Sequence, residues 1–378
     1  MHRRLSQTKI AIATMALVAA GAFSQPAWAQ DPATPPSPDS HQMPGEGEYP
    51  RLRLAGFGDI NFAKQEHTEG AKGFSLGQFV LHMTSQLTSR VTFFGEISFT
   101  ARTDAGTGTP PAPGFAVEIE RMILRFDQSD QLKVSFGRYH TPINYWNTAF
   151  HHGSWLQTTI SRPEMIQFGG KFLPVHFVGA LVEGAVPAGG WNVGYKGGVG
   201  NGRGAVLSRA GDAGDNDNDL SYLAGVVSKP DKLYGLEFGT SFLADSITQP
   251  NGVKVPEQII DAHVAYQKET PEFIAEVASV RHDVPGVGQL WSHAYYVQGA
   301  WRFGFDDRKW KAYYRFEHIG IPAADTAFVG IPLLDGSTAG IRFDASAFAA
   351  LKFEYRSWTR GAGTVRNQGG FFQLSFTF

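Results

Sequence analysis

From Arg51 onward the chain is written largely in a two-residue period. Near its end, Phe372, Leu374, Phe376 and Phe378 share one face of an extended segment. Phe371, Gln373, Ser375 and Thr377 share the other, because successive strand side chains point to opposite faces. Upstream, Val91, Phe93, Ile97 and Phe99 oppose Arg90, Thr92, Glu96 and Ser98, and Leu132, Val134 and Phe136 oppose Lys133 and Ser135. Within these segments charge falls on one side only. That is the demand of a sheet whose outer face meets lipid, where a charge at bilayer depth costs several kcal/mol. In the fourth segment the parity slips, since Val117 and Ile119 are out of phase with Met122, Leu124 and Phe126. A bulge near Glu120 and Arg121 would restore it, though the pattern alone does not derive one.

The pattern predicts sixteen strands, near 51–64, 73–87, 90–102, 115–127, 131–139, 165–184, 189–200, 218–229, 232–244, 257–268, 271–282, 290–304, 309–318, 335–344, 347–358 and 368–378. Seven short turns are expected at 88–89, 128–130, 185–188, 230–231, 270–271, 306–308 and 345–346. Eight longer loops alternate with them, at 65–72, 103–114, 140–164, 201–217, 245–256, 283–289, 319–334 and 359–367. The fold class is therefore all-β: a 16-stranded antiparallel transmembrane β-barrel with both ends on the short-turn side.

The beginning of the chain differs. Arg3, Arg4 and Lys9 precede an apolar run from Ile10 to about Phe23, followed by Ala27-Trp28-Ala29, the layout of a cleaved secretory signal peptide over 1–29. Residues 30–50, rich in Pro, Asp and Ser, read as a disordered periplasmic leader, leaving 51–378 for the barrel. No later apolar stretch reaches the roughly 20 residues of a membrane helix. The 44 glycines and 29 phenylalanines suit tight turns and lipid-facing strands. With no cysteine there is neither a disulfide nor a thiolate site, and a formal net charge of −2 gives no reason to expect nucleic acid. Export without a helical anchor points to the outer membrane of a Gram-negative bacterium.

The longest connection, HTPINYWNTAFHHGSWLQTTISRPE over His140 to Glu164, is too apolar to lie in water. It is expected to fold into the lumen and narrow it. The candidate constriction and pore-lining residues are His140, Tyr145, Trp146, His151, His152, Trp155, Arg162 and Glu164 from this loop, with Arg121, Arg125, Lys133 and Arg138 from the strands beside it. Lys352 is expected to lie far from the constriction.

Phe136-Gly137-Arg138-Tyr139-His140-Thr141-Pro142-Ile143 resembles the motif that closes strand five in phosphate-selective porins and their relatives, where a constriction loop follows. Gly190-Trp191-Asn192-Val193-Gly194-Tyr195-Lys196-Gly197-Gly198-Val199-Gly200-Asn201-Gly202 is similar to a strand end of the same superfamily. Asp219 to Asp245, with Lys229-Pro230 at a turn, follows the same plan. The terminal aromatic residue resembles the carboxy-terminal signature of outer-membrane barrels. The resemblance implies a sixteen-stranded, usually trimeric diffusion channel for small hydrophilic solutes, embedded in outer-membrane lipid. Phosphate selectivity does not carry over. It depends in the family on arginines along the path and lysines near the constriction, whereas the loop here offers only Arg162 and no lysine. Glu118, Glu120 and Glu164 further oppose it, leaving the charge preference open.

Other chemistry weighs less. His140, His151 and His152 are histidines of the kind that bind metal, but adjacent histidines point apart, and hydrogen bonds pinning the loop to the wall are preferred. Asp212, Asp215, Asp217 and Asp219 offer oxygens for Ca²⁺, yet the run lacks a closing Glu and reads first as a solvated loop. Gly200 to Ala205 fits a dinucleotide fingerprint with no helix to open. Ser154 beside His152 has no nucleophile elbow, so no enzyme is expected. The rival functions are a plugged barrel with a structural or partner-sheathing role and a channel for hydrophobic solutes along Tyr145, Trp146, Phe150 and Trp155.

Overall fold

The computed structural model describes residues 49–66, 72–102, 113–150, 153–167, 172–204, 206–207, 211–215, 219–361 and 366–378. The expected signal peptide and almost all of the expected leader, together with His151, His152 and Asp217, lie outside the described residues.

Sixteen strands follow in order: β1 (Arg51–Gln65), β2 (Gly73–Gln86), β3 (Val91–Arg102), β4 (Gly114–Ser129), β5 (Leu132–His140), β6 (His176–Val186), β7 (Val193–Asn201) and β8 (Leu220–Ser228) form one half. β9 (Leu236–Thr248), β10 (Lys254–Gln267), β11 (Glu272–Val284), β12 (Gly288–Arg302), β13 (Trp310–Gly320), β14 (Leu334–Ser346), β15 (Ala349–Arg360) and β16 (Arg366–Thr377) form the other. Each pairs antiparallel with its neighbours in sequence, and β16 returns to β1, with Phe57 opposite Thr377 and Gln65 opposite Gly369. Closure is what hydrocarbon requires, since an open edge would leave amide groups with no water to bond.

The alternation of residue types becomes an alternation of surroundings. Along β4, Phe115, Val117, Ile119, Met122, Leu124 and Phe126 are exposed on the outer surface, while Glu120, Arg121, Ile123 and Arg125 are buried inside. Glu96 of β3 pairs with Arg121 and Ile97 with Ile119, so Glu120 is the extra residue of a bulge, at the point where the parity slips.

The chain end completes the cylinder. Phe378 N donates to Gly56 O (3.1 Å), Gly56 N donates to Phe378 O (3.0 Å), and the Phe378 ring stacks on Phe79 at 5.8 Å. A Cβ on Gly56 would lie 2.2 Å from the Phe378 ring. Gly137 of β5 is equally constrained: its φ is +151°, and a Cβ there would come within 1.9 Å of Met122 O.

Two sequence expectations are corrected. β6 starts at His176, not 165, and Glu164–Ile166 form a single 3₁₀ turn. Pro163 and Pro174 can give no ladder hydrogen bond, and Met165, Ile166, Phe172 and Leu173 bury themselves inside the barrel rather than facing lipid. Nor do short and long connections alternate strictly. The expected loop at 245–256 shrinks to 249–253 and that at 283–289 to 285–287, because pairing continues to Thr248 opposite Lys254 and Val284 opposite Gly288. The Pro and Gly at 285 and 286 make the turn itself instead of ending the strands early.

Candidate functional site: the lumen and its infolded loop

The segment 141–175 leaves β5 and crosses the lumen. Its neck is closed by Thr141 N donating to Val175 O (2.9 Å) and by Asn147 Nδ2, which donates to both Thr141 O and Val175 O (3.0 Å each). Asn144 caps the short helix α1 (Tyr145–Ala149), its Oδ1 accepting from Asn147 N at 2.6 Å. α1 turns Tyr145 and Trp146 inward, where Trp146 meets Phe150 at 5.0 Å and Tyr296 of β12 at 5.9 Å. Ile143, Met165, Ile166, Phe172 and Leu173 join the same apolar cluster. At about 2–3 kcal/mol for each large side chain removed from water, this packing is ample reason for the loop to fold inward.

Polar groups of the opposite wall then hold its course. Glu276 of β11 accepts from Tyr145 N (2.5 Å) and Tyr296 OH (2.8 Å), and Ser241 of β9 donates to Ile143 O. Glu272 accepts from Thr158 Oγ1 (2.9 Å). Arg315 of β13 donates to Thr159 Oγ1 (3.2 Å), Ser161 O (2.8 Å), Ser161 Oγ (2.7 Å) and Arg162 O (3.1 Å). Glu317 accepts from Glu164 N (2.6 Å), and Arg342 of β14 donates to Trp155 O and Gln157 O (2.8 Å each). On β15, Lys352 donates to Ser154 O and to Thr159 O (3.1 Å), while Glu354 accepts from Ile160 N (2.9 Å) and Ser161 Oγ (2.8 Å). The loop is thus fastened along a stripe running from β9 to β15. Lys352 lies against it, contrary to the sequence expectation.

Among the described residues, spaces lie on opposite sides of the loop. The larger, about 800 Å³, lies between the loop and the wall formed by β1 to β5, β15 and β16. Its charged lining is Arg102, Arg138, Arg162, Arg356, Asp59, Glu118 and Glu120. The smaller, about 140 Å³, lies toward the short turns and is lined by Arg121, Arg125, His140, Glu183, Lys196, Glu237 and His263, among others.

The expected site residues divide accordingly. Arg138 and Arg162 line the larger space, and Arg121, Arg125 and His140 the smaller. Lys133 sits opposite Glu183 in the β5–β6 register and lines neither. Tyr145 and Trp146 present no surface to either: they are 1% and 0% exposed and support the loop from within. Trp155 lies under the Arg342 guanidinium, 5.8 Å from its ring centre. Glu164 bonds Arg360 (2.8 Å) at the rim, where burial raises its carboxyl against the pull of Arg360. Burial brings Arg162 down to about 9 against the opposing charge of Glu120, and Arg162 remains a cation at neutral pH. Burial, reinforced by Glu237, Glu272 and Glu276, pushes the Tyr145 hydroxyl well up. Of the acidic run weighed for Ca²⁺, Asp212 takes Arg138 (2.7 Å) and Asp219 takes Lys254 (2.6 Å).

Sequence reasoning missed Arg315, Glu317, Arg342, Lys352, Glu354 and His176. A signal existed for most of them: charged residues on β13 to β15 share one parity, as in Lys311, Arg315 and Glu317 or Lys352, Glu354 and Arg356. What that parity could not show is which loop they would meet.

No family model matches the chain, and no curated protein matches it in sequence. Among solved structures, the anion-selective porin from Comamonas acidovorans superposes with a TM-score of 0.61 at 13% identity, over 87% of this chain and 100% of that one. The fold is the porin fold. The outer membrane channel DcaP of Acinetobacter baumannii shares this porin fold with a TM-score of 0.57 at 12% identity, over 87% of this chain and 97% of that one. So does the in-vitro folded trimer form of OmpT, an outer membrane protein of Vibrio cholerae, with 0.52 at 11% identity, over 87% and 99%. Such identities speak for the porin fold and leave the solute to be argued from this chain's own residues.

Proposed function

We propose that this protein is a passive diffusion channel of the outer membrane of a Gram-negative bacterium, passing small hydrophilic solutes and ions. One observation carries the reading: an inward-folded loop is fastened to the far wall by charged groups, yet leaves about 800 Å³ of polar-lined space along the near wall. A fixed partial obstruction is how a barrel of this width selects by size and charge. Four arginines against three carboxylates in that space favour a weak preference for anions. Phosphate in particular is not expected, because no lysine lines the space. The trimeric assembly of its structural neighbour supports a homotrimer in outer-membrane lipid.

The narrowness of the space below the loop, about 140 Å³, favours a second reading in which the lumen is shut and the barrel serves a structural or partner-binding role. Planar-bilayer recording in a salt gradient separates them. Discrete current steps with a reversal potential of anion sign are expected. Current of cation sign would remove the anion preference, and no current from correctly folded protein would remove the channel.

A further inference from the structure

The lumen wall carries a constellation that the channel reading does not use. Glu120, His140 and His176 stand on three adjacent strands, β4, β5 and β6, at the neck of the loop. His140 and His176 are the last register pair of β5 and β6, with ring centres 5.7 Å apart. Glu120 is the residue that the β4 bulge adds, and its Oε2 lies 2.7 Å from His176 Nε2. One donor atom from each of the three falls within 4.8 Å of the other two. We propose that these residues form a binding site for a nitrogen-preferring divalent transition metal, of which Zn²⁺ is the probe.

Metal–ligand bonds of about 2.0–2.1 Å around a tetrahedral ion put donors roughly 3.3 Å apart. The Glu120 to His176 separation, 2.7 Å, needs to open by about 0.6 Å. Glu96 Oε2, on the neighbouring β3, lies 3.3 Å from His140 Nε2 and is itself held by Arg121, leaving the fourth position to water. The supporting groups are those a metal site requires. Ser98 Oγ donates to Glu120 Oε1 (2.6 Å), which leaves Oε2 turned toward the histidines. Arg138 Nη1 donates to Ile119 O and Glu120 O (2.7 Å each) and so fixes the bulge. His82 holds the other oxygen of Glu96 at 2.8 Å.

The surrounding charges decide which metal. Arg121 bonds Glu96 (2.5 Å), Arg138 lies 3.7 Å from Glu120, and Arg162 approaches it from the loop. These cations absorb much of the carboxylate charge on which Ca²⁺ or Mg²⁺ would depend, whereas two imidazoles suit Zn²⁺, Cu²⁺ or Ni²⁺. His140 and His176 flank Thr141 and Val175, whose backbone bond closes the neck, so a bound ion braces the base of the loop. Glu120 and His176 line the larger space and His140 the smaller, which puts the ion on a wall that both share.

The test titrates Zn²⁺ into the detergent-folded full chain by calorimetry at pH 7.5, independently of any conductance. One equivalent should bind, weakening below about pH 6 as imidazoles protonate. His140→Ala, His176→Ala and Glu120→Gln should each cost more than about tenfold in affinity, the scale of a lost ligand or supporting group, while His318→Ala changes nothing. Where a variant fails to form a heat-resistant barrel, Co²⁺ added to the unaltered protein should give the strong visible absorption of a tetrahedral site. Binding that survives His140→Ala and His176→Ala, binding abolished by changing His151 and His152 instead, or absence of both Zn²⁺ binding and the Co²⁺ band at about 1 mM metal would each overturn the site.

Discussion

Replacing Arg315 by Met keeps much of the side chain's length and removes its charge. Arg315 is fully buried and gives four hydrogen bonds to the loop between Thr159 and Arg162, while its Nε holds Glu317 at 2.8 Å. The change leaves Glu317 buried with Glu164 N as its partner from the loop. Breaking a buried ion pair by removing one member costs about 3–5 kcal/mol. The cost falls on the seated state of the loop, because once the loop lifts away water reaches Glu317. At about 1.4 kcal/mol per tenfold, the lifted fraction should rise by roughly two to three and a half orders of magnitude. Chymotrypsin reads it at Tyr145, Trp146 and Phe150, the first two sealed in the seated loop, since cleavage tracks the open population when opening is fast. The expected result is nicking within 145–150 faster by two or more orders of magnitude, noisier single-channel current, and an intact barrel. A change smaller than about tenfold would refute the claim that charged wall residues hold the loop.

Four further outcomes follow from the same geometry. Deleting 144–158 should raise conductance and blunt selectivity while the barrel stays heat-resistant on a gel; unchanged conductance would mean that this segment does not obstruct the lumen. Lys352→Met should also free the loop, because Lys352 holds Ser154 O and Thr159 O, and a chymotrypsin pattern equal to that of the unaltered protein would contradict this. Gly137→Ala should lower the free energy of unfolding by about 1–3 kcal/mol through clash and strain, read as a lower urea midpoint, whereas Gly370→Ala, with open space around it, should have little effect. In the turn between β10 and β11, burial would raise Glu269, but Lys311 and Arg302 outweigh it and bring it down to about 2. Its stabilising contribution is therefore full above the unfolded carboxylate value of about 4.3 and lost as pH falls toward 2. Glu269→Gln should flatten the acid loss of stability in that window, by about 1 kcal/mol or less, since half the side chain meets water.

The sequence by itself determined the barrel, its sixteen strands, the outward face of those whose alternation is clearest, β3, β5 and β16, and the region near Glu120 and Arg121 where β4 slips out of phase, because lipid imposes a rule that each strand must obey locally. Alternation along ten residues is enough to read it. It also marked 140–164 as a segment that water would not tolerate. The true extent of that loop, to Val175, was hidden because Met165, Ile166, Phe172 and Leu173 are as apolar as any lipid-facing strand. Only the closed cylinder offered them a second apolar place to go. The tertiary structure alone decided which wall groups fasten the loop, bringing Lys352 and Glu354 to residues some 190 positions away, and it alone paired His176 with His140 and Glu120. Strand periodicity fixes which side of the sheet a residue faces. What it meets there depends on shear, closure and the path of one loop, which are properties of the whole cylinder and of no segment within it.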